Sequence, residues 1–161
     1  MRRIPMTVTG GCQCGAVRYR TAALLDNAHI CHCRMCQKAV GNFFAALVGT
    51  NNDDLVWTRG APATFASSDL VERGFCARCG TPLFYRRIGG VRTGLTIGSF
   101  DDPSLAPPQL QVGMEGRYAF MDDLLHLPDE GTTEEDMADE VPFIRETNHQ
   151  HPDHDTERWP A

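Results

Sequence analysis

Seven cysteines in a chain of 161 residues fall into three groups, Cys12/Cys14, Cys31/Cys33/Cys36 and Cys76/Cys79. No other feature restricts the fold so tightly. Sulfurs two or three residues apart share whatever they bind, and the bound group then pins the chain on either side. Disulfides account for them poorly. An odd count leaves one sulfur over, and a chain of this length with 42% hydrophobic residues buries roughly two thirds of its surface without cross-links.

The expected compartment points the same way. Arg2, Arg3 and Pro5 run directly into MTVTGGC without the apolar segment a secretory signal needs, and no run of about 18 apolar residues follows. A cytoplasmic protein with no membrane span is expected. In a reducing compartment, clustered cysteines mean metal or thiol chemistry more often than disulfides.

Between the cysteines the pattern is that of strands. In MTVTGGCQCGAVRYRT, Val17 and Tyr19 alternate with Arg18 and Arg20, the period of two of a sheet with one buried face. Residues 21–30 lead into a short strand ending at the triplet, Arg34 to Val40 has room for one helical turn or two, and NFFAALVGT reads as a buried strand. LVW, ATFASS, VERGFC, PLFYRR and VRTGLTIGSF follow as further strands, with Gly89-Gly90 as a hairpin turn. No segment shows a sustained helical period. The fold class is mainly β, of small antiparallel sheets.

The cysteines divide as four plus three. A structural zinc takes four ligands in a closed tetrahedron, whereas a catalytic zinc keeps three protein ligands and an open position. Cys14-Gly15 and Cys79-Gly80 both end as zinc knuckles do, while Cys36 is followed by Gln37. Cys12, Cys14, Cys76 and Cys79 are therefore assigned to one structural Zn²⁺, and Cys31, Cys33 and Cys36 to a second, catalytic Zn²⁺. Joining Cys14 to Cys76 closes a loop of about 60 residues, which costs roughly 4 kcal/mol. A structural zinc contributes about 10 to 16 kcal/mol, so the metal outweighs the loop.

Around the triplet, Arg34 and the only lysine, Lys38, favour thiolate over thiol. His32 is a candidate fourth ligand, but an extended Cys-His-Cys segment aims it away from both neighbours, which suits packing or support of the ligands.

Charge separates the chain into two parts. Residues 129–161 hold eleven acids against Arg145 and Arg158, a net −9, while residues 1–128 hold thirteen bases against ten acids, a net +3. Two Zn²⁺ and seven thiolates bring the first part near neutrality, so no nucleic-acid footprint is expected. The boundary is set near Pro128, giving a zinc-binding β domain over 1–128 and an acidic tail over 129–161. The tail has little apolar content to offset the entropy of ordering and reads as flexible. Its His149, His151 and His154 read as solvated.

GGCQCGAVRY, CHCRMCQKAVG, the stretch from LVWTRGAPATFASS to RGFCARCGTPLFY, and IGSFDDPS together resemble the glutathione-dependent formaldehyde-activating enzyme family, which includes centromere protein V-like proteins. The resemblance covers about residues 7–105. It implies an Mss4-like fold, with zinc bound between small sheets, and the same division of the seven cysteines. It also implies a carbon-sulfur lyase that joins glutathione, a small thiol, to formaldehyde, a small aldehyde, giving S-hydroxymethylglutathione. Arg34 or Lys38 would help to hold an anionic substrate. Further on, Gln111-Val112 stands where the family often shows His-Ile. Two other functions suit the same residues: a non-enzymatic zinc-binding interaction module, or a thiol redox protein whose triplet carries no metal.

Overall fold

Short β-forming stretches broken by Gly, Pro and Asp give ten strands in the computed structural model, which describes residues 1–159. Strands β1 (Arg3–Gly11) and β2 (Arg18–Leu25) make an antiparallel hairpin whose turn carries Cys12 and Cys14. Strand β5 (Leu55–Arg59) extends it to a three-stranded sheet. The second sheet uses β3 (His29–Cys31), β4 (Ala45–Asn51), β6 (Ala63–Ser68), β7 (Val71–Phe75), β8 (Pro82–Arg87), β9 (Arg92–Thr96) and β10 (Leu110–Val112). Their order is β10-β3-β4-β9-β8-β7-β6.

The mainly β expectation holds, with two differences of detail. The larger sheet has seven strands rather than few, and its edge strand β10 runs parallel to β3. Proline and glutamine around Leu110 hide this strand, because an edge strand of three residues, all exposed, carries no hydrophobic alternation.

The sheets meet at β2 and β4, where Thr21 and Thr50 place their buried hydroxyls 2.7 Å apart. Val8, Tyr19, Leu24, Val48, Leu83, Leu95 and Phe100 form the core beneath. Tyr19 lies edge-on to Trp57 at 5.6 Å and satisfies its hydroxyl at Ser99, 2.6 Å away. A buried phenol needs such a partner.

One alternation breaks the simple pattern. Tyr19 and Arg18 are both buried, although they are neighbours on β2. Arg18 is tolerated inside because Asp101 accepts from it twice, at 2.7 and 2.6 Å, and Asp155 accepts at 2.7 Å.

The same ion pair explains the tail. Thr133–Asp136 and Val141–Thr147 form two short helices, the first closed by a capping box between Thr132 and Glu135. Residues beyond them pack on the β domain rather than hanging free. His151 is 4% exposed, its amide donates to the carbonyl of Gln13 at 2.7 Å, and Arg59 donates to Thr156. Composition alone reads this segment as solvated because polar partners, not apolar area, hold it down.

Candidate metal centres

The four-cysteine site is built from two matching turns. In the first, Cys12 donates its amide to Val17 and Gly15 donates to Cys12; in the second, Cys76 donates to Thr81 and Gly80 to Cys76. Both turns aim amides at sulfur: Val17 N–H lies 3.2 Å from Cys12 Sγ and Arg78 N–H 3.4 Å from Cys76 Sγ. Neighbouring sulfurs are 3.7 Å apart for Cys12/Cys14 and 3.8 Å for Cys14/Cys76, and all four lie within 4.8 Å of one another. Thiolates about 2.3 Å from a tetrahedral zinc are about 3.8 Å apart, so the donor set fits that ion.

As thiols the four are unequal. Burial pushes Cys12 up to about 12. Burial also acts against the thiolate at Cys79, but hydrogen bonds from Thr81 outweigh it and bring Cys79 down to about 6.

The triplet is assembled differently. Cys31 ends β3, Cys33 caps helix α1 (Arg34–Val40), and Cys36 lies one turn along it. Positions three apart on a helix share a face, so the turn brings Cys33 and Cys36 together beside the strand end. The three sulfurs lie within 4.8 Å of one another, the donor set of a three-ligand site. Burial pushes Cys31 up to about 12. At Cys33 burial is outweighed by the Cys36 amide, the adjoining thiols and Arg73, and the pKa is lowered.

His32 does not join this donor cluster. It is fully buried, and its Nε2 lies 2.9 Å from Gln111 Oε1. Gln111 thus reaches the triplet through the β3–β10 pairing. Just past it, Gly113 has φ +66°, and a side-chain Cβ there would stand 2.6 Å from the amide nitrogen of Cys33. The loop therefore rests directly on the triplet. Gln37 ties it down further, donating to the Gly116 carbonyl at 2.8 Å.

A cavity of about 710 Å³ opens on all three triplet cysteines. Leu47, Val71 and Val112 give it apolar walls, and its charged lining groups are Arg73, Arg87 and Arg92, with no carboxylate. Arg34 and Lys38 are exposed and do not line it, which corrects their expected role. Arg34 turns instead toward Gln37 and Tyr118, 3.3 Å from each. Arg73 donates from Nη2 to Cys36 Sγ at 3.3 Å. Sequence reasoning missed Arg73; the alternation of β7, which puts Val71 and Arg73 on one face, is the signal that could have found it. Arg87 and Arg92 carry no such mark.

The profile of the family described as glutathione-dependent formaldehyde-activating enzyme matches residues 7–115. The chain belongs to that family. Within the glutathione-dependent formaldehyde-activating enzyme match lie all seven cysteines, Arg73 and Gln111, while the C-terminal tail falls outside it. An uncharacterized lyase of Schizosaccharomyces pombe (strain 972) is 28% identical over 81 residues, 50% of this chain and 58% of that protein. The chain thus spans little more than half the length of this curated relative. In fold, the chain is similar to a crystal structure of a Rhodobacter sphaeroides protein, with a TM-score of 0.53 and 22% identity over 65% of this chain and 99% of that one. Among the described residues, no helix is long and apolar enough to cross a membrane.

Proposed function

We propose that the protein is a cytoplasmic carbon-sulfur lyase-type enzyme that adds the thiol of glutathione to formaldehyde at the Cys31/Cys33/Cys36 site. The observation that carries this reading is the cavity: it exposes three clustered thiols at one wall and presents only arginines as charged groups. Glutathione is an anion with a free thiol and fits such a lining. The family membership and the lyase relative support the same class of reaction.

In this reading Cys12, Cys14, Cys76 and Cys79 hold a structural Zn²⁺, and Cys31, Cys33 and Cys36 hold a catalytic Zn²⁺. Zinc held by these three cysteines would supply Lewis acidity that favours thiolate over thiol. Arg87 and Arg92 take the substrate carboxylates, which sets the sulfur toward the triplet. Leu47 and Val112 exclude water from the sulfur as the ligand enters. The substrate thiol releases its proton to water, its sulfur bonds to the aldehyde carbon, the carbonyl π pair moves to oxygen, and that oxygen takes a proton back from water.

Formaldehyde adds to thiols unaided, so the test is comparative. Adduct formation is followed with zinc-loaded wild type, with Cys33→Ser and without protein. Wild type is expected to accelerate the reaction and bind two zincs per chain, and Cys33→Ser to fall to the uncatalysed rate with one. Equal acceleration by both proteins rules out the triplet as the reacting centre.

A further inference from the structure

Arg18 and Arg73 are both buried arginines, 3% and 6% exposed, and they are compensated in opposite ways. Arg18 has two carboxylates. Arg73 has no ion pair with a carboxylate among the described residues. Its Nε donates to Ser67 Oγ at 3.1 Å, its Nη2 to Cys36 Sγ at 3.3 Å, and its guanidinium lies 5.2 Å from the centre of the Tyr85 ring.

A guanidinium keeps its charge, and taking a charge out of water is costly unless an opposite charge offsets it. A hydroxyl and an aromatic face supply only part of that compensation. The remaining source of negative charge at contact distance is the triplet. Three thiolates and one divalent cation carry −3 and +2, a net −1, which matches the single positive charge that Arg73 brings. Three neutral thiols leave Arg73 buried without a counter-charge.

We infer that Arg73 is the charge partner and positioning residue of the Cys31/Cys33/Cys36 metal centre. It balances the anionic three-thiolate metal site and orients Cys36 as a ligand through the Nη2 contact. The inference rests on the reading of the triplet as a metal centre and extends it to a group outside the cysteine pattern. Strand β7 delivers Arg73 to the triplet three residues before it delivers Cys76 to the other site, so the placement is as rigid as the sheet.

The test uses the full chain loaded with Zn²⁺, with metal stoichiometry and chelator competition read for each site in wild type, Arg73→Gln and Arg73→Lys. The four-cysteine site and the thermal midpoint report on folding. Loss of an outer partner of a metal ligand lowers metal affinity about 10- to 100-fold. Arg73→Gln is expected to lose that much at the second site only, and Arg73→Lys, which keeps the charge, to recover part of it. With Co²⁺ in place of Zn²⁺, the thiolate charge-transfer band of the second site should shift in Arg73→Gln. Unchanged second-site affinity in Arg73→Gln overturns the inference, as does equal loss at both sites. A wild type that binds a single metal removes the metal-centre reading itself. Two metals with no acceleration of adduct formation remove the enzymatic reading and leave the Arg73 inference standing on the affinities.

Discussion

The indole N–H of Trp159 donates to the backbone carbonyl of Cys14 across 2.8 Å, tying the far end of the chain to the four-cysteine knuckle. Its ring meets that of His151 edge-on at 5.1 Å, and both rings occupy the space a Cβ on Gly15 would fill. The knuckle is thus covered in part by a residue 145 positions away in sequence.

This cover should slow the escape of metal from the knuckle. A single hydrogen bond contributes about 1 kcal/mol, a factor of roughly five in local opening. Trp159→Phe keeps the ring and removes the donor. A chelator should therefore strip zinc from the four-cysteine site about fivefold faster than in wild type, with second-site zinc unaffected. Identical stripping rates would show that the cover is not coupled to the knuckle.

The Arg18–Asp101 pair sets an acid limit on stability. Burial pushes the Asp101 carboxyl up, but Arg18 and Thr9 outweigh it and hold its pKa below the ordinary value. Unfolded, an aspartate titrates near about 3.9. A depressed folded pKa means that the contribution is complete above about pH 4 and is lost as pH falls through the folded value. Acid titration followed by circular dichroism should show wild type losing stability in that window. Asp101→Asn should lack that step and be less stable at neutral pH by about 3 kcal/mol, since Arg18 loses a buried partner.

Gly113 separates loop packing from ligand chemistry. A side chain there is strained by the positive φ and meets the Cys33 amide nitrogen, at a cost of about 1 to 3 kcal/mol. Gly113→Ala should lift the loop from the triplet, weaken second-site metal and leave the first site intact. Measured zinc affinities that match wild type at both sites would place the loop outside the centre.

The two cysteine groups should differ in what their loss does to the fold. Cys76→Ser removes a sulfur from the four-cysteine cluster that joins the β1–β2 turn to the β7–β8 turn, and on the proposed structural role of that cluster its thermal midpoint should fall steeply. Cys36→Ser removes one of three sulfurs close in sequence; second-site zinc is lost and buried Arg73 loses its counter-charge, so the midpoint should fall, but less than in Cys76→Ser. Calorimetric scans of the two variants, run beside zinc counts, check this; midpoints that drop equally contradict the division into structural and functional sites.

Much of this was legible in the cysteines. Their count and the glycines that follow Cys14 and Cys79 separated Cys12, Cys14, Cys76 and Cys79 from Cys31, Cys33 and Cys36, and the four sulfurs do converge although 62 residues separate Cys14 from Cys76. Alternation in the strands gave the mainly β class for the same reason: ligand spacing and side-chain periodicity are local, and local geometry is written in adjacent residues. The charges were read less well. Arg34 and Lys38 adjoin the triplet in sequence and face away from the cavity, because a helix turns neighbours to different sides.

What the order of residues decided, then, is which sulfurs act together and that strands carry them. Only the tertiary structure decided what surrounds them: Arg73 against Cys36, Gln111 against His32, and Trp159 over Cys14. Each of these contacts joins residues 37 to 145 positions apart through sheet order or chain return. The acidic tail makes the point most sharply, since its composition speaks for solvation. Buried Arg18 nevertheless takes Asp155 as a partner, and a long-range ion pair of that kind leaves no periodic trace in the chain.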